Sequence, residues 1–289
     1  MIITNRIRTR RAEPEDFPKL ADLIHFEAFV HRHLDYRVPL DWIGQEQFLL
    51  LEEGSRIEAA LACPPDPLNV AWVRLFAVSA RLAPEHAWNT LWEAILPSIR
   101  SDKQIQHVAA IPLFTWFEAL LKKHGFSRIQ EIVLLNRELS KLPSEAPDPR
   151  ISIRPMTLDD LKAVHAIDEE AFSPIWVNSP AYIEIAFRQA LIASVAEDNG
   201  EVVGYQISTG AQNGGHLARL AVRPRLQGKG IGYALLFDLI RQFNRRGAHL
   251  LTVNTQKDNQ VSLALYRHAG FELTSEEYPI YELDPSYLR

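Results

Sequence analysis

The apolar positions in the second half of the chain fall into alternating helical and strand-like periods. Leu161, Val164, Ile167 and Ala171 recur at helical spacing behind Thr157-Leu-Asp-Asp160, a capping-box pattern, and predict a helix that begins near Leu158. Residues 191–197 and 201–208 are rich in β-branched side chains and meet at Asp198-Asn199-Gly200, where Asn-Gly supplies the positive φ angles of a tight hairpin. Another strand is expected over residues 216–222. Ile231, Leu235, Leu239, Ile240 and Phe243 then mark one face of a helix over residues 231–246 that stops at Gly247. A strand over 249–254, a short helix over 261–268 stopped at Gly270, and one or two strands over 271–283 complete the series. Together these elements read as a mixed α/β sheet flanked by helices.

The first half repeats the plan. Arg10-Arg-Ala-Glu-Pro-Glu-Asp-Phe17 is echoed 144 residues later by Arg154-Pro-Met-Thr-Leu-Asp-Asp-Leu161. Arg74-Leu-Phe-Ala-Val78 and Arg219-Leu-Ala-Val222 keep that offset when their valines are matched, and His124-Gly-Phe126 meets Ala269-Gly-Phe271 at 145. Between the copies, Pro143, Pro147 and Pro149 break a stretch with no apolar period, so no helix or paired strand runs through it. The expected organisation is one fold used twice, over residues 1–140 and 151–289, with a proline-rich linker at 141–150.

Composition narrows the function classes. Of 289 residues 47% are hydrophobic and 23% charged, which excludes a disordered or fibrous chain. A formal net charge of −5 gives no global electrostatic reason for binding nucleic acid or an anionic membrane, and neither partner is expected. The single cysteine, Cys63, excludes an internal disulfide and a multi-cysteine zinc site, and no metal is expected. The opening residues lack the apolar core of a signal peptide and no apolar run reaches the ~18 residues of a membrane span, so a cytoplasmic setting is expected.

The chemistry concentrates at Gln227-Gly-Lys-Gly-Ile-Gly-Tyr233, between a predicted strand and a predicted helix. Glycines let the backbone approach a ligand closely, and the free N–H groups at a helix start carry the positive end of its dipole, so the segment suits a pyrophosphate. A dinucleotide fingerprint would need glycine where Tyr233 stands, and a Walker loop would need Ser or Thr where Gly230 stands.

With Val222 before it, and Asn259 and Leu265-Tyr266 ahead of Gly270-Phe271 after it, this segment resembles the GNAT family of N-acetyltransferases across residues 151–289. Glu170-Ala-Phe-Ser-Pro-Ile-Trp176 is similar to the ribosomal-protein alanine N-acetyltransferase branch, although that branch often has a glutamate where this chain has Leu251-Thr-Val-Asn254. The resemblance implies acetyl-CoA as cosubstrate, with Leu220, Ala221 and Val222 pairing along its pantetheine. Gln227, Gly228, Lys229, Gly230, Ile231, Gly232 and Tyr233 would form the phosphate cradle, and Asn259 would contact CoA. It also implies Tyr266 beside the sulfur as proton donor. His216, six residues before Val222, stands where one branch has a glutamate base and can titrate near neutrality; a water ordered by Thr252 or Asn254, or bulk solvent, is the other route for the amine's proton. Arg219 and Trp176 are candidates for lining the acceptor cleft.

In the first copy the cradle position reads Ala83-Pro-Glu-His-Ala-Trp88, without glycine: Pro84 lacks an N–H, Glu85 repels phosphate and Trp88 fills the backbone's approach. Leu121 replaces Tyr266. The first copy is therefore expected to be degenerate and without CoA, with His31-Arg32-His33 read as a solvated helix end and Trp72 as a core residue, the alternative being that they contribute to the acceptor side. The leading expectation is an N-acetyltransferase acting on a small amine or a protein N-terminus. The alternatives are an acyl-CoA sensor without turnover and a structural module. Isolated residues 151–289 are expected to bind CoA, and isolated residues 1–140 are not.

Overall fold

The protein is described from a computed structural model covering residues 7–148, 150–211 and 213–288; the opening residues and Pro149 of the predicted linker lie outside them. The chain forms two compact units, Met1–Ile129 with Pro279–Arg289, and Gln130–Tyr278. The division falls inside strands rather than at the proline-rich segment.

The first unit contains β1 (Ile7–Arg11), α1 (Phe17–Phe26), β2 (Phe29–Arg32), β3 (Phe48–Glu53), β4 (Arg56–Ala62), β5 (Val70–Trp72), β6 (Leu75–Val78), α2 (Pro84–Ser101), β7 (His107–Ala110) and α3 (Thr115–Lys123). Its larger sheet has the order β1-β3-β4-β6-β2. β5 runs parallel to β7, which is completed on its other side by Tyr281 and Glu282 pairing with Ala110 and Ala109. Tyr281 and Leu283 are buried in this unit's core beside Phe117 and Phe126.

β8 (Phe126–Glu138) enters the second unit, followed by β9 (Ser152–Pro155), α4 (Leu161–Ala171), α5 (Pro180–Gln189), β10 (Ile192–Asp198), β11 (Glu201–Ala211), β12 (Gly214–Val222), α6 (Ile231–Arg245), β13 (Leu250–Gln256), α7 (Gln260–His268) and β14 (Glu272–Leu283). The sheet order here is β14-β8-β13-β12-β11-β10-β9. β8 pairs antiparallel with β13 from Ile132↔Gln256 to Glu138↔Leu250. The apolar face of β8 explains this: Val133 and Leu135 are buried with Leu251, Val253, Leu236 and Tyr266. A strand encoded in the first half thus completes the second unit.

Most predicted elements of the second half appear. The hairpin turns at Asn199 (φ 50) and Gly200 (φ 83), and α6 is followed by Gly247 at φ 75. α5 was not anticipated; Pro180 at its start and the Ser179 hydroxyl accepting from Tyr182 N at 3.1 Å set its origin. The repeat is visible in side chains. Arg10 bonds Asp16 at 2.6 Å and Glu52 at 2.5 Å, while Arg154 bonds Asp160 at 2.7 Å and Glu197 at 2.8 Å. In the second copy the guanidinium of Arg154 holds the Asp160 carboxyl down at about 2.

Candidate functional site

The site of the second unit begins where two parallel strands part. β12 and β13 are in register from Gly214↔Leu250 to Leu217↔Val253 and no further, although β12 continues to Val222 and β13 to Gln256. The cause lies on the other edge of β12. Ile207 pairs with Arg219 and Ser208 with Leu217, so Ala218 is an extra residue that bends the strand away. The backbone edge of Ala218–Val222, including predicted Leu220, Ala221 and Val222, is left without a β13 partner, while Tyr205 and Gly204 pair with Ala221 and Val222 on the far side.

At the end of this open edge lies the glycine loop. Gly228 (φ 75) and Gly230 (φ 81) are left-handed, which a side chain disfavours; nothing lies within 4 Å of a Cβ built at Gly228, and only Ile151 approaches one at Gly230, at 3.8 Å. Gly230 caps α6, so the first-turn amides of Ile231, Gly232 and Tyr233 have no acceptor within the helix. Gly232 serves differently: a Cβ there would sit 3.3 Å from Leu265 and 3.8 Å from Leu220, so it brings α6 close to α7 and β12.

The other predicted binding residues divide. Lys229 is exposed beside the loop. Gln227 braces it instead, its side-chain amide donating to Val222 O at 3.1 Å and its backbone N–H to Pro224 O at 3.2 Å. Tyr233 donates its hydroxyl to Glu145 O at 2.7 Å, so its backbone rather than its phenol belongs to the cradle. Asn259 caps α7, accepting from Ser262 N at 3.0 Å.

The face of β12 opposite α6 carries His216. A Cβ at Gly215 would strike Phe243 of α6, so His216 turns to the other face of the sheet. His216 Nδ1 lies 2.9 Å from Thr252 Oγ1, and the Thr252 hydroxyl donates to Gly215 O at 3.3 Å. Because that proton is directed at a carbonyl, Thr252 Oγ1 accepts from Nδ1–H and leaves the lone pair on Nε2. Burial lowers the imidazole pKa, so the ring is neutral at pH 7. Tyr266, on α7, is 5% exposed, and burial pushes its phenol pKa up, which keeps it protonated.

Arg219 and Trp176 do not sit as free cleft residues. Arg219 makes a two-pronged contact with fully buried Asp168, both distances 2.8 Å, donates to Trp176 O at 2.6 Å and stacks over Phe172. Tyr205 and the amide of Asn178 add their protons to Asp168. The α4–α5 connection, residues 172–178, is thereby pinned over the β12 face that holds His216. Neither Asp168 nor Tyr205 was singled out in the sequence, since their partners lie on other elements.

Among the described residues the first unit has no glycine loop at the start of α2. Pro84 is the first residue of α2, and Trp88, 0% exposed, packs on Phe76 at 5.1 Å, Trp92 at 5.1 Å and Phe117 at 5.7 Å. Trp72 is buried and His31 is buried and stacks on Phe117 at 4.1 Å, so both are packed inside the first unit. Among the described residues no group of three or more His, Cys, Asp or Glu is placed to hold a metal, and no helix is long and apolar enough to cross a membrane.

The second unit is thus a mixed sheet that opens between two parallel strands beside a glycine loop at a helix start. Residues 161–271 match the acetyltransferase (GNAT) family model. A mycothiol acetyltransferase of Saccharomonospora viridis is 28% identical over 177 residues, covering 53% of this chain and 56% of that protein. The chain spans about half the length of the curated relatives it matches. Two solved structures share the fold end to end. One, a tandem GNAT protein from the clavulanic acid biosynthesis pathway, has TM-score 0.67 and 16% identity, over 97% of this chain and 99% of that one. The other, a GCN5-related N-acetyltransferase from Sphaerobacter thermophilus, has TM-score 0.64 and 19% identity, over 97% and 96%.

Proposed function

We propose that the second unit is an acetyl-CoA-dependent N-acetyltransferase acting on a primary amine, and that the first unit supports it without binding CoA. The observation that carries this is the open edge of Ala218–Val222 ending at two left-handed glycines, against the fully buried Trp88 at the matching place of the first unit. The residues present fit a CoA: space at Gly228 and Gly230 for phosphate oxygens, free amides on α6, and an unpaired strand edge for an amide-bearing arm. When bound, acetyl-CoA supplies an acetyl thioester.

Each residue then has a stated task. Neutral His216 accepts the amine's proton at Nε2, directly or through water, while Thr252 holds its tautomer. Tyr266, kept protonated by burial, donates to the departing sulfur. The pinned residues 172–178 shape the acceptor side. A small-molecule amine is the favoured acceptor, because relatives aligned over about half this chain are named mycothiol acetyltransferase.

The test is release of free thiol from acetyl-CoA by the whole protein over a panel of small amines and peptides with free N-termini. Amine-dependent release supports the reading. CoA binding without release by any amine would leave a sensor in its place.

A further inference from the structure

We infer that Gln130, at the start of the second unit's β8, is a positioning residue that ties the acceptor side of the cleft to the helix carrying Tyr266. The inference rests on the acetyl-transfer reading for its kinetics, though not for its geometry. Trp176 donates its indole N–H to Gln130 Oε1 at 2.9 Å. From the same amide, Gln130 Nε2 donates to both carboxylate oxygens of Asp258, at 3.2 and 3.4 Å. Asp258 immediately precedes Asn259, the cap of α7, and Tyr266 follows on that helix. Trp176 is fixed at its backbone by Arg219. Gln130 therefore spans from the α4–α5 connection to the start of α7, across the region where β12 and β13 part.

The polarity of this bridge is fully specified. An indole N–H can only donate and an ionised carboxylate can only accept, so the bridging group must present an acceptor to Trp176 and a donor to Asp258. Glutamine does so in one amide orientation. Glutamate would keep the acceptor and place a second negative charge against Asp258, whereas methionine would keep the length and lose both bonds. Loss of the bridge removes the Trp176 indole's bond to Gln130 and loosens the amine's wall, while the cradle on α6 is untouched.

The experiment uses the full chain and compares Gln130→Met, Gln130→Glu and the double change Gln130→Glu with Asp258→Asn. In the double variant the new carboxylate accepts from both the indole and the introduced amide, restoring the bridge with reversed polarity. The expected result is CoA affinity within about twofold of the parent for all three, and an amine KM raised about five- to tenfold in both single variants, as for the loss of one or two net hydrogen bonds. The double variant should return most of that loss, a non-additivity a merely structural role would not produce. Trp176 emission, taken as the difference from a Trp176→Phe background, should shift to the red in the single variants and return in the double. That second readout needs no acceptor: absence of any turnover in the parent would sink the transferase reading while emission still decides the bridge. Unchanged amine KM and unchanged Trp176 emission in Gln130→Met, or no recovery in the double variant, would overturn the inference.

Discussion

Replacing Gly230 by alanine should separate two costs that a glycine position usually confounds. At φ 81 a side chain is strained whatever the room around it, and the left-handed region costs an L-residue about 1–2 kcal/mol. A Cβ at Gly230 meets nothing closer than Ile151 at 3.8 Å, so no steric penalty adds to the strain and the fold survives. Gly247, at φ 75 with nothing within 4 Å of its Cβ, supplies the control: the same strain at the other end of α6, away from the cradle. Urea denaturation should therefore show Gly230→Ala and Gly247→Ala weakened alike, by about 1–2 kcal/mol. Calorimetry with CoA should split them. Gly247→Ala should bind like the parent, and Gly230→Ala about tenfold or more weaker, because a methyl group beside the first-turn amides holds phosphate oxygens off by more than a hydrogen bond tolerates. Gly230→Trp should abolish binding. Equal CoA affinity in folded Gly230→Ala, Gly230→Trp and Gly247→Ala would refute the cradle.

Three further outcomes are expected. Tyr266→Phe keeps the buried ring, so stability and CoA affinity should stay near the parent while turnover falls by roughly 10²- to 10⁴-fold if its proton is needed; parent-like turnover with chemistry rate-limiting would return Tyr266 to packing. Burial lowers the pKa of His216, so its base form is lost only as pH falls through a value below 6.5. An acid limb of kcat/KM below pH 6.5 that vanishes in His216→Gln is the expected profile, and an unchanged profile in that variant would assign the proton to solvent. Residues 130–278 expressed alone should fold and bind CoA, but residues 151–289 should not. The latter lack buried Val133, Leu135 and Leu139, a loss of about 5–9 kcal/mol at 1.5–3 kcal/mol each, comparable to a domain's whole stability of about 5–15 kcal/mol. A cooperatively folded fragment 151–289 with parent-like CoA affinity would contradict the role given to β8.

What could be read from the sequence was what local spacing controls. The glycine loop, the Asn199-Gly200 hairpin and the amphipathic face of α6 are each set by residues within a turn or two of one another, and each appears where expected. The repeat was legible because paired interactions recur, with Arg10 and Arg154 each joining an aspartate and a glutamate at matching offsets. The unit boundaries were not legible. Pro143 and Pro147 do interrupt regular structure, but the chain passes into the second unit earlier, within the continuous strand β8, where no composition change marks the crossing. Alternating apolar residues show that a strand will bury one face and leave open which sheet provides the partner. Arg219 illustrates the same limit: its position suggested a cleft cation, and a buried aspartate on α4 claims it.

The split of the first unit into two segments also makes its completion depend on residues encoded after the second unit. Residues 7–129 cannot complete the first unit by themselves, because Tyr281 and Leu283, which fill its core, and the partner of its β7 edge follow the second unit in the chain. The second unit is one contiguous run, so it can close while the first still waits with an open β7 edge. A chain interrupted between residues 278 and 279 would therefore leave the β7 edge unpaired and open to pairing with other chains.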